Sequence, residues 1–384
     1  MNAAHCGKLY SSRRLVLSPL SPFPTPSVLD YTLRRMQIAA KRPVLPVLIA
    51  LGVLFLTGPR PAAAQNGRAD LLIYAIDVEG GQATLLVAPG GHSLLVDTGW
   101  PDNNGRDAER IQQAMKDAGI AQIDKVLITH FHTDHVGGVP NLVARVKVGE
   151  FLDHGVNRED SDITRKDFAN YVKAVGNTPR RTVHPGDTID LSGLTIKVLT
   201  ADGEHISRIP GITPEPNRYC ASEPKWELDQ TENPRSAGIL VRFGKFSFLD
   251  LGDLTKPKEI DLVCPNNPIG HVSLYLVNHH GFNQSNSKAF VDAIHPEVAI
   301  MDNGAHKAGS PEAWQTVHES PGLLDLWMLH TAEDSDAAHN SAEELIANPR
   351  GDGDGHWLKV VAKKDGSFSV TNARTGKTKE YRGR

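Results

Sequence analysis

The order of hydrophobic and polar residues along the chain predicts a run of strands at the start, followed by helices that alternate with further strands. Three apolar, β-branched runs are separated by the glycine pairs at 80–81 and 90–91, which predicts strands joined by tight turns at Leu71–Val78, Ala83–Ala88 and Ser93–Asp97. Arg106–Ala118 and Asp162–Val175 have apolar residues spaced for one helix face, which predicts amphipathic helices. Lys125–Thr129, between those helices, is predicted as a short buried strand.

The second half of the chain repeats this organisation after a polar loop. Residues 203–235 contain five prolines and are predicted to be a long loop of the kind that often serves as a lid or binding loop. Further strands are predicted at Ile239–Phe243, Phe246–Leu251, Ser273–Asn278 and Val298–Asp302, with helices at Lys256–Val263, Lys288–Ile294 and Pro311–His318. Two half-chains of this kind predict two sheets packed face to face with helices outside.

The N-terminal residues 1–64 do not have the pattern of a folded domain. A basic start at Lys41 and Arg42, an apolar run and three alanines ending at Ala64 predict a signal peptide over residues 36–64. An uncleaved membrane anchor is the alternative. Residues 1–35 would then precede a start codon at Met36, and residues 65–384 would form one exported domain, periplasmic or secreted, with no stable membrane insertion after cleavage.

Charge and cysteine content narrow the function classes. The chain has 41 basic and 45 acidic residues. Removing residues 1–64, with eight basic residues and one acidic residue, leaves 33 against 44, a net charge of −11. A basic nucleic-acid-binding protein is therefore not indicated. Three cysteines are too few for a disulfide scaffold, and whether Cys220 and Cys264 pair is open at this point.

The segment HFHTDH, after an apolar strand, carries the strongest chemical signal. His130, His132, Asp134 and His135 place three imidazoles and a carboxylate within six residues, and these ligand types suit Zn²⁺ and its first-row neighbours. In an extended loop, His130 and His132 would hold one ion, while Asp134 and His135 point elsewhere and hold a second. Two glycines follow and would allow a tight turn.

HFHTDH resembles the HxHxDH motif of the metallo-β-lactamase-fold hydrolases. LLVDTGW, LDLGDL and LVNHHG resemble further motifs of that superfamily in the expected order, with Asp97, Asp253 and the pair His279 and His280 at the matching positions. The second half is most similar to the hydrolase-like domain of DNA-uptake competence proteins, with Asn233 and Ser236 as matching polar residues. The resemblance implies an α/β (α+β) fold, a four-layer αββα sandwich of two mixed β-sheets flanked by helices.

The resemblance also implies a metal-dependent hydrolase. Two Zn²⁺ ions, with a single ion as the alternative and Mn²⁺ or Fe²⁺ as alternative metals, would activate a hydroxide that attacks a carbonyl or phosphoryl centre. Asp134 would also orient the nucleophile, Asp97 would support the ligand loop, and Asp253 would bridge the metals. At the expected third ligand of the first metal the chain departs from the family and reads TADGEH. His205 is one candidate there; water, Asn233 and His154 are the others.

Three functional hypotheses follow from these residues. The favoured one is hydrolysis of a small ester, lactone or lactam, because the acidic chain repels phosphate polymers. The second is a phosphodiesterase or nuclease-like hydrolase, and the third is a non-catalytic metal-binding module. Candidate substrate-binding residues are His154, Asn233, Ser236 and Lys307, the last for an anionic group. The oligomeric state is not indicated.

Overall fold

The computed structural model describes residues 69–101, 103–351 and 354–383. They lie within one unit, Pro61–Arg384. The predicted targeting segment and its signal peptide lie outside the described residues. In the described part of the chain, no helix combines the length and the apolar character that a membrane span needs.

The first sheet is built from the two ends of the chain. Its nine strands are β1 (Leu71–Ala75), β2 (Thr84–Val87), β3 (Ser93–Val96), β4 (Ile123–Leu127), β5 (Val148–Asp153), β6 (Arg180–Thr182), β18 (Leu358–Ala362), β19 (Phe368–Asn372) and β20 (Thr378–Tyr381). They are ordered β20-β19-β18-β1-β2-β3-β4-β5-β6. The strands from β3 to β6 are parallel and the remaining pairs are antiparallel, so the sheet is mixed.

The second sheet comes from the middle of the chain. Its strands are β7 (Thr188–Ile189), β8 (Thr195–Ala201), β9 (Glu204–His205), β11 (Gly238–Phe243), β12 (Phe246–Asp250), β14 (Leu274–Leu276), β15 (Val298–Met301), β16 (Asp325–His330) and β17 (Ile346–Asn348). They are ordered β17-β16-β15-β14-β12-β11-β8-β7, with β9 paired to β8. Two short strands, β10 (Glu215–Pro216) and β13 (Asn266–Asn267), form a separate ladder.

Helices cover the outer face of each sheet, which confirms the predicted layers. They are α1 (Arg106–Ala118), α2 (Thr133–Val136), α3 (Val139–Val143), α4 (Asp162–Val175), α5 (Lys256–Val263), α6 (Lys288–Ile294) and α7 (Pro311–His318). Side chains of α1 and α4 share one core with the first sheet, and those of α5, α6 and α7 share another with the second. The five longer helices have the predicted bounds, whereas α2 and α3 are too short to show a period.

A third core lies between the sheets and holds them face to face. It includes Phe243, Phe246, Phe248 and Trp327 of the second sheet packed with strands of the first. Each such side chain, fully removed from water, contributes about 1.5–3 kcal/mol of transfer free energy. The core between the sheets is apolar, and the polar residues described below follow the ends of the strands.

Candidate metal centre

The candidate ligands lie where parallel strands of both sheets end. Asp97 follows β3 and His130 follows β4 in the first sheet, while Asp253 follows β12, His280 follows β14 and Asp302 follows β15 in the second. Because parallel strands present their carboxyl ends at one sheet edge, residues far apart in sequence meet there. All five side chains are buried, each with at most 3% of its surface exposed.

The HFHTDH segment is extended only in its first half. His132 has extended backbone angles and immediately precedes α2, in which Asp134 and His135 lie on a single helical turn. The expectation of an extended loop is therefore corrected for these two residues, whose separation from His130 comes from the helix. Gly137 and Gly138 are needed for close packing, because a Cβ would lie 2.2 Å from the Thr133 carbonyl oxygen and 2.0 Å from that of Thr98, respectively.

Two groups of potential ligands meet at Asp253. One contains His130, His132 and Asp253, and the other contains Asp134, His135, Asp253 and His280; within each group the ligand atoms lie within 4.8 Å of one another. Asp253 Oδ2 lies 3.2 Å from His135 Nε2 and 3.7 Å from His130 Nε2. Asp253 is therefore placed to bridge two cations.

The donor set fits divalent transition-metal ions. Imidazole nitrogens and carboxylate oxygens are the ligands that Zn²⁺ and its neighbours take in proteins. Asp253 Oδ1 is buried and has no hydrogen-bond partner among the described residues. A buried, unsatisfied carboxylate oxygen is costly, and a bound cation would satisfy it.

Each histidine of the HFHTDH segment uses one ring nitrogen to face its ligand group and the other to contact a supporting residue. His135 Nδ1 donates to Asp97 Oδ2 at 2.7 Å, and His130 Nδ1 lies 3.0 Å from Thr129 Oγ1, which itself donates to Asp97. These contacts leave Nε2 of both rings directed at the metal groups. Asp97 thus supports the ligand loop, as the resemblance implies.

Two carboxylates that contact the ligand imidazoles were not predicted from the sequence. Glu159 Oε2 lies 2.9 Å from His132 Nε2, so Nδ1 of that ring faces the metal group. Asp302 Oδ1 lies 3.2 Å from His280 Nδ1. Asp302 ends a predicted strand, as Asp97 does, so its position at a strand end could have identified it from the sequence. Glu159 lies in an irregular loop and no sequence pattern identified it.

The histidine doublet is resolved by the structure. His280 Nε2 lies 3.4 Å from both Asp253 Oδ1 and Asp134 Oδ2, so His280 belongs to the second ligand group. His279 lies outside that group, with Nε2 3.4 Å from Asp253 Oδ2 and Nδ1 3.3 Å from Ser285 Oγ. Both residues have positive φ, near 55°. Such strained backbone persists only where the surroundings enforce it, often at functional sites.

The electrostatics of the centre favour ionised carboxylates. Burial raises the pKa of Asp253, but His135, His279 and His280 overcome this and hold it well below its usual range. For Asp134, burial is opposed by Lys307 and His135, and its pKa is likewise far below normal. Burial alone would lower the pKa of His280, yet Asp253 and Asp302 raise it to about 9. A metal ion must therefore displace a proton from this ring.

A family model matches the part of the chain that contains the HFHTDH segment. Residues 77–226 match the model of the metallo-beta-lactamase superfamily, and this range includes strands β2 to β6 of the first sheet and the whole HFHTDH segment. The chain carries a metallo-beta-lactamase superfamily domain. Asp253 and His280 lie beyond the matched residues, and the geometry adds them to the centre of this domain. The prediction of a metal-dependent hydrolase of this superfamily is confirmed.

The curated relatives of this domain are distant. Recombination protein 2 of Haemophilus influenzae is 25% identical over 60% of this chain and 24% of its own length. Competence protein ComA of Neisseria gonorrhoeae is 23% identical over 64% of this chain and 28% of its own length. The chain thus spans about a quarter of these relatives. A UPF0173 metal-dependent hydrolase of Cupriavidus taiwanensis is 24% identical over 69% of this chain and 85% of its own length.

Among solved structures, the metallo-beta-lactamase fold protein YhfI from Bacillus subtilis covers 68% of this chain and 96% of its own. Its TM-score is 0.42 and its sequence identity 12%.

Two sequence expectations for this superfamily domain are corrected. His205 is exposed in β9 and lies outside both ligand groups, because β9 pairs back onto β8; Asp253 completes the first group instead. His154 is 2% exposed and does not face a substrate. Its ring packs on Phe131 and its Nε2 lies 2.8 Å from Glu232 Oε2, behind the HFHTDH segment.

The remaining polar candidates have different surroundings. Ser236 is buried, and its Oγ accepts from the Asp253 backbone N–H at 3.2 Å and donates to the Asn233 carbonyl at 2.8 Å. It therefore positions Asp253 and does not face a substrate, which corrects that expectation. Lys307 Nζ donates to Asp134 Oδ2 at the centre itself. Asn233 lines a cavity whose wall also includes Thr255, two residues after Asp253.

That cavity has a volume of about 550 Å³. Its wall is formed by the 226–233 segment of the predicted binding loop, the start of α5 and residues 283–284, which follow the histidine doublet. Asn233 Oδ1 and Thr255 Oγ1 are buried there without a hydrogen-bond partner among the described residues. Unsatisfied polar atoms on a cavity wall indicate a place where a polar ligand binds.

A disulfide holds the cavity loop. Cys220 bonds to Cys264 at the end of α5, and the two residues are 44 positions apart. The loop is also held by Glu223 Oε1, which accepts from the Ala289 backbone N–H. The question of pairing, open from sequence alone, is thereby answered.

Proposed function

We propose that this chain is a zinc-dependent hydrolase that cleaves a small ester, lactone or lactam. The observation that carries the proposal is the pair of ligand groups that share Asp253. A cavity of small-molecule size, with Thr255 and residues 283–284 in its wall, supports it. When bound, the divalent cations supply Lewis acidity and lower the pKa of water, so that hydroxide is available near neutral pH.

The residues of the chain supply orientation and proton handling. Asp97, Glu159 and Asp302 hold the ligand imidazoles at fixed angles through their outer nitrogens, which lowers the cost of reorganisation during reaction. Asp134 is ionised and faces the centre, so its carboxylate can orient a nucleophilic water. Asn233 and Thr255 offer polar atoms to the part of the substrate that occupies the cavity.

The charge of the cavity supports a small substrate over a nucleic acid. Three carboxylates, those of Glu227, Asp229 and Glu312, line it together with one lysine, Lys256. The Lys256 ammonium lies 4.2 Å from the centre of the Trp226 ring. This ring also lines the cavity and offers a ligand an apolar surface. An acidic wall of this kind repels a phosphodiester chain.

A phosphodiesterase is the second candidate function. The observation that favours it is the alignment of proteins named for recombination and competence with 60–64% of this chain. The two candidate functions differ in the charge of the substrate that the cavity must accept, which is neutral for an ester or lactone and negative for a phosphodiester.

A substrate panel separates them. We expect kcat/KM for uncharged aryl esters or lactones to exceed that for bis(4-nitrophenyl) phosphate at least about tenfold, since the acidic wall disfavours the anion. The Glu227→Lys/Glu312→Lys variant should narrow this ratio several-fold, whereas Glu380→Lys, on the exposed strand β20, should not. A preference of the wild-type protein for the phosphodiester would replace the first function by the second.

We also propose that the domain is exported to the periplasm or medium. The Cys220–Cys264 disulfide supports this, because such bonds persist in oxidising compartments. Expressed in a Gram-negative host, the protein should appear outside the cytoplasm with Gln65 as its first residue, as N-terminal sequencing would show. Recovery of an intact N-terminus in the cytoplasm alone would contradict export.

A further inference from the structure

Lys307 occupies an unusual place for a lysine in a metal centre. It lies in the turn after β15, where its carbonyl accepts from the Gly304 backbone N–H at 3.0 Å. Its Nζ donates to Asp134 Oδ2 and to the Gly80 carbonyl oxygen. The ammonium also lies 4.9 Å from the centre of the Trp100 ring and 5.8 Å from that of Phe282, so aromatic faces stabilise it there.

The atom that Lys307 contacts is also the ligand atom of the second group. Asp134 Oδ2 lies 3.4 Å from His280 Nε2 and 3.5 Å from His135 Nε2. A cation bound by these nitrogens and by Asp134 would share that oxygen with an ammonium ion. Two positive charges on one carboxylate oxygen repel each other, and the repulsion is strong in a buried site.

We propose that Lys307 sets the metal affinity of the group formed by Asp134, His135, Asp253 and His280, so that the two groups bind cations with unequal strength. The inference rests on the metal binding included in the proposed function. In the first group, His130 and His132 are paired instead with Thr129 and Glu159, whereas Lys307 donates to Asp134 of the second group. Lys307 thus determines whether the centre holds one cation or two at a given metal concentration.

The turn is built to keep the charge in place. Lys307 has two oxygen acceptors and two ring faces, which together resist rotation of the side chain away from Asp134. Gly80 itself has no room for a side chain, since a Cβ there would lie 2.9 Å from the Gly304 backbone nitrogen. The Gly80 carbonyl and the lysine turn are therefore packed directly against each other.

The test isolates the second group by removing the first. In the His130→Ala/His132→Ala protein, Zn²⁺ affinity is measured by competition with a chromophoric chelator, with and without Lys307→Met. We expect Lys307→Met to tighten Zn²⁺ binding at least tenfold, and Lys307→Arg, which keeps the charge, to leave it within about threefold. An Asp134→Asn replacement in the same background should abolish the gain, which shows that the coupling passes through that carboxylate.

A matched control removes a similar lysine elsewhere. Lys359 pairs with Asp117 and lies 5.3 Å from the centre of the Tyr74 ring, in β18, outside both ligand groups. Lys359→Met should leave Zn²⁺ affinity unchanged. Thermal unfolding of each variant verifies that the fold is retained.

Three outcomes would overturn the inference. Unchanged Zn²⁺ affinity in Lys307→Met with a raised KM for anionic substrates would assign Lys307 to substrate binding instead. An equal gain in Lys359→Met would show a non-specific effect of net charge. Absence of any metal binding in the wild-type protein would remove the proposed function as well, whereas metal binding insensitive to Lys307 would remove this inference alone.

Discussion

Replacing Asp253 by asparagine should abolish hydrolysis while leaving the fold intact. Asp253 is the one ligand that both groups share, and its Oδ2 lies within 3.7 Å of ring nitrogens from His130, His135 and His279. Asparagine keeps the size of the side chain but removes the bridging charge. Because bound cations contribute several kcal/mol to transition-state stabilisation, we expect kcat/KM to fall at least about 10³-fold.

Asp261→Asn is the matched control for this variant. Asp261 lies on α5, a few residues after Asp253, is half-exposed and pairs with Lys258. It should retain full activity and full metal content. Near wild-type activity of Asp253→Asn, with the metal bound as before, would show that Asp253 does not bridge the metals.

The second prediction with a large effect concerns the free energy of unfolding. It applies to the buried contacts of Asp77, which join the two sheets. Asp77, just after β1, accepts from His330 Nε2 at 2.8 Å, and His330 ends β16 of the other sheet. Arg110 Nη1 also donates to Asp77 Oδ2, at 3.1 Å. Asp77→Asn removes the buried carboxylate that both partners share, while Glu79 still lies 3.0 Å from Arg110 Nη1 and 3.4 Å from His330 Nε2, so we expect a loss of about 3 kcal/mol, at the lower end for a broken buried pair. Asp365→Asn, in an exposed turn, should change stability by less than about 0.5 kcal/mol.

The same pair predicts a pH dependence. Burial raises the pKa of Asp77, but His330, Arg110 and the Glu79 backbone N–H together lower it more, so its stabilisation is lost as the pH falls through this lowered value. Burial lowers the pKa of His330, but Asp77 and Glu79 together raise it more, so that contribution is lost as the pH rises through the raised value. The difference between wild type and Asp77→Asn should be largest between about pH 4 and 6.5. Urea midpoints at pH 5 and pH 9 measure it, and a larger difference at pH 9 would contradict this account.

The features predicted best from the sequence are those formed by residues close together along the chain. The bounds of α1 and α4 followed from their apolar periodicity, and Gly119 and Ser161 cap them as expected for their residue types. His130, His132, Asp134 and His135 were recognisable because the four ligands are nearly consecutive. Asp97, Asp253 and the pair His279 and His280 were placed by the resemblance of LLVDTGW, LDLGDL and LVNHHG to superfamily motifs, and the choice between the two histidines required the structure.

What the sequence could not predict depends on packing between distant segments. His205 lay near the expected position along the chain, yet the return of β9 onto β8 leaves it exposed. Glu159 supports His132 from a loop without a pattern, and Lys307 reaches Asp134 across 173 positions. The edge strands β6 and β17 are too short for a periodic signal.

The central claim is that the two ligand groups bind divalent metal ions on which hydrolysis depends. The most direct measurement is the metal-to-protein ratio of the purified protein, with activity assayed before chelation, after chelation and after metal is restored. At least one equivalent of metal, activity lost on chelation and regained with Zn²⁺, and weakened metal binding with loss of activity in the His132→Ala/Asp134→Ala variant are predicted. Metal-free protein with full activity, or full activity in that variant, would contradict the account.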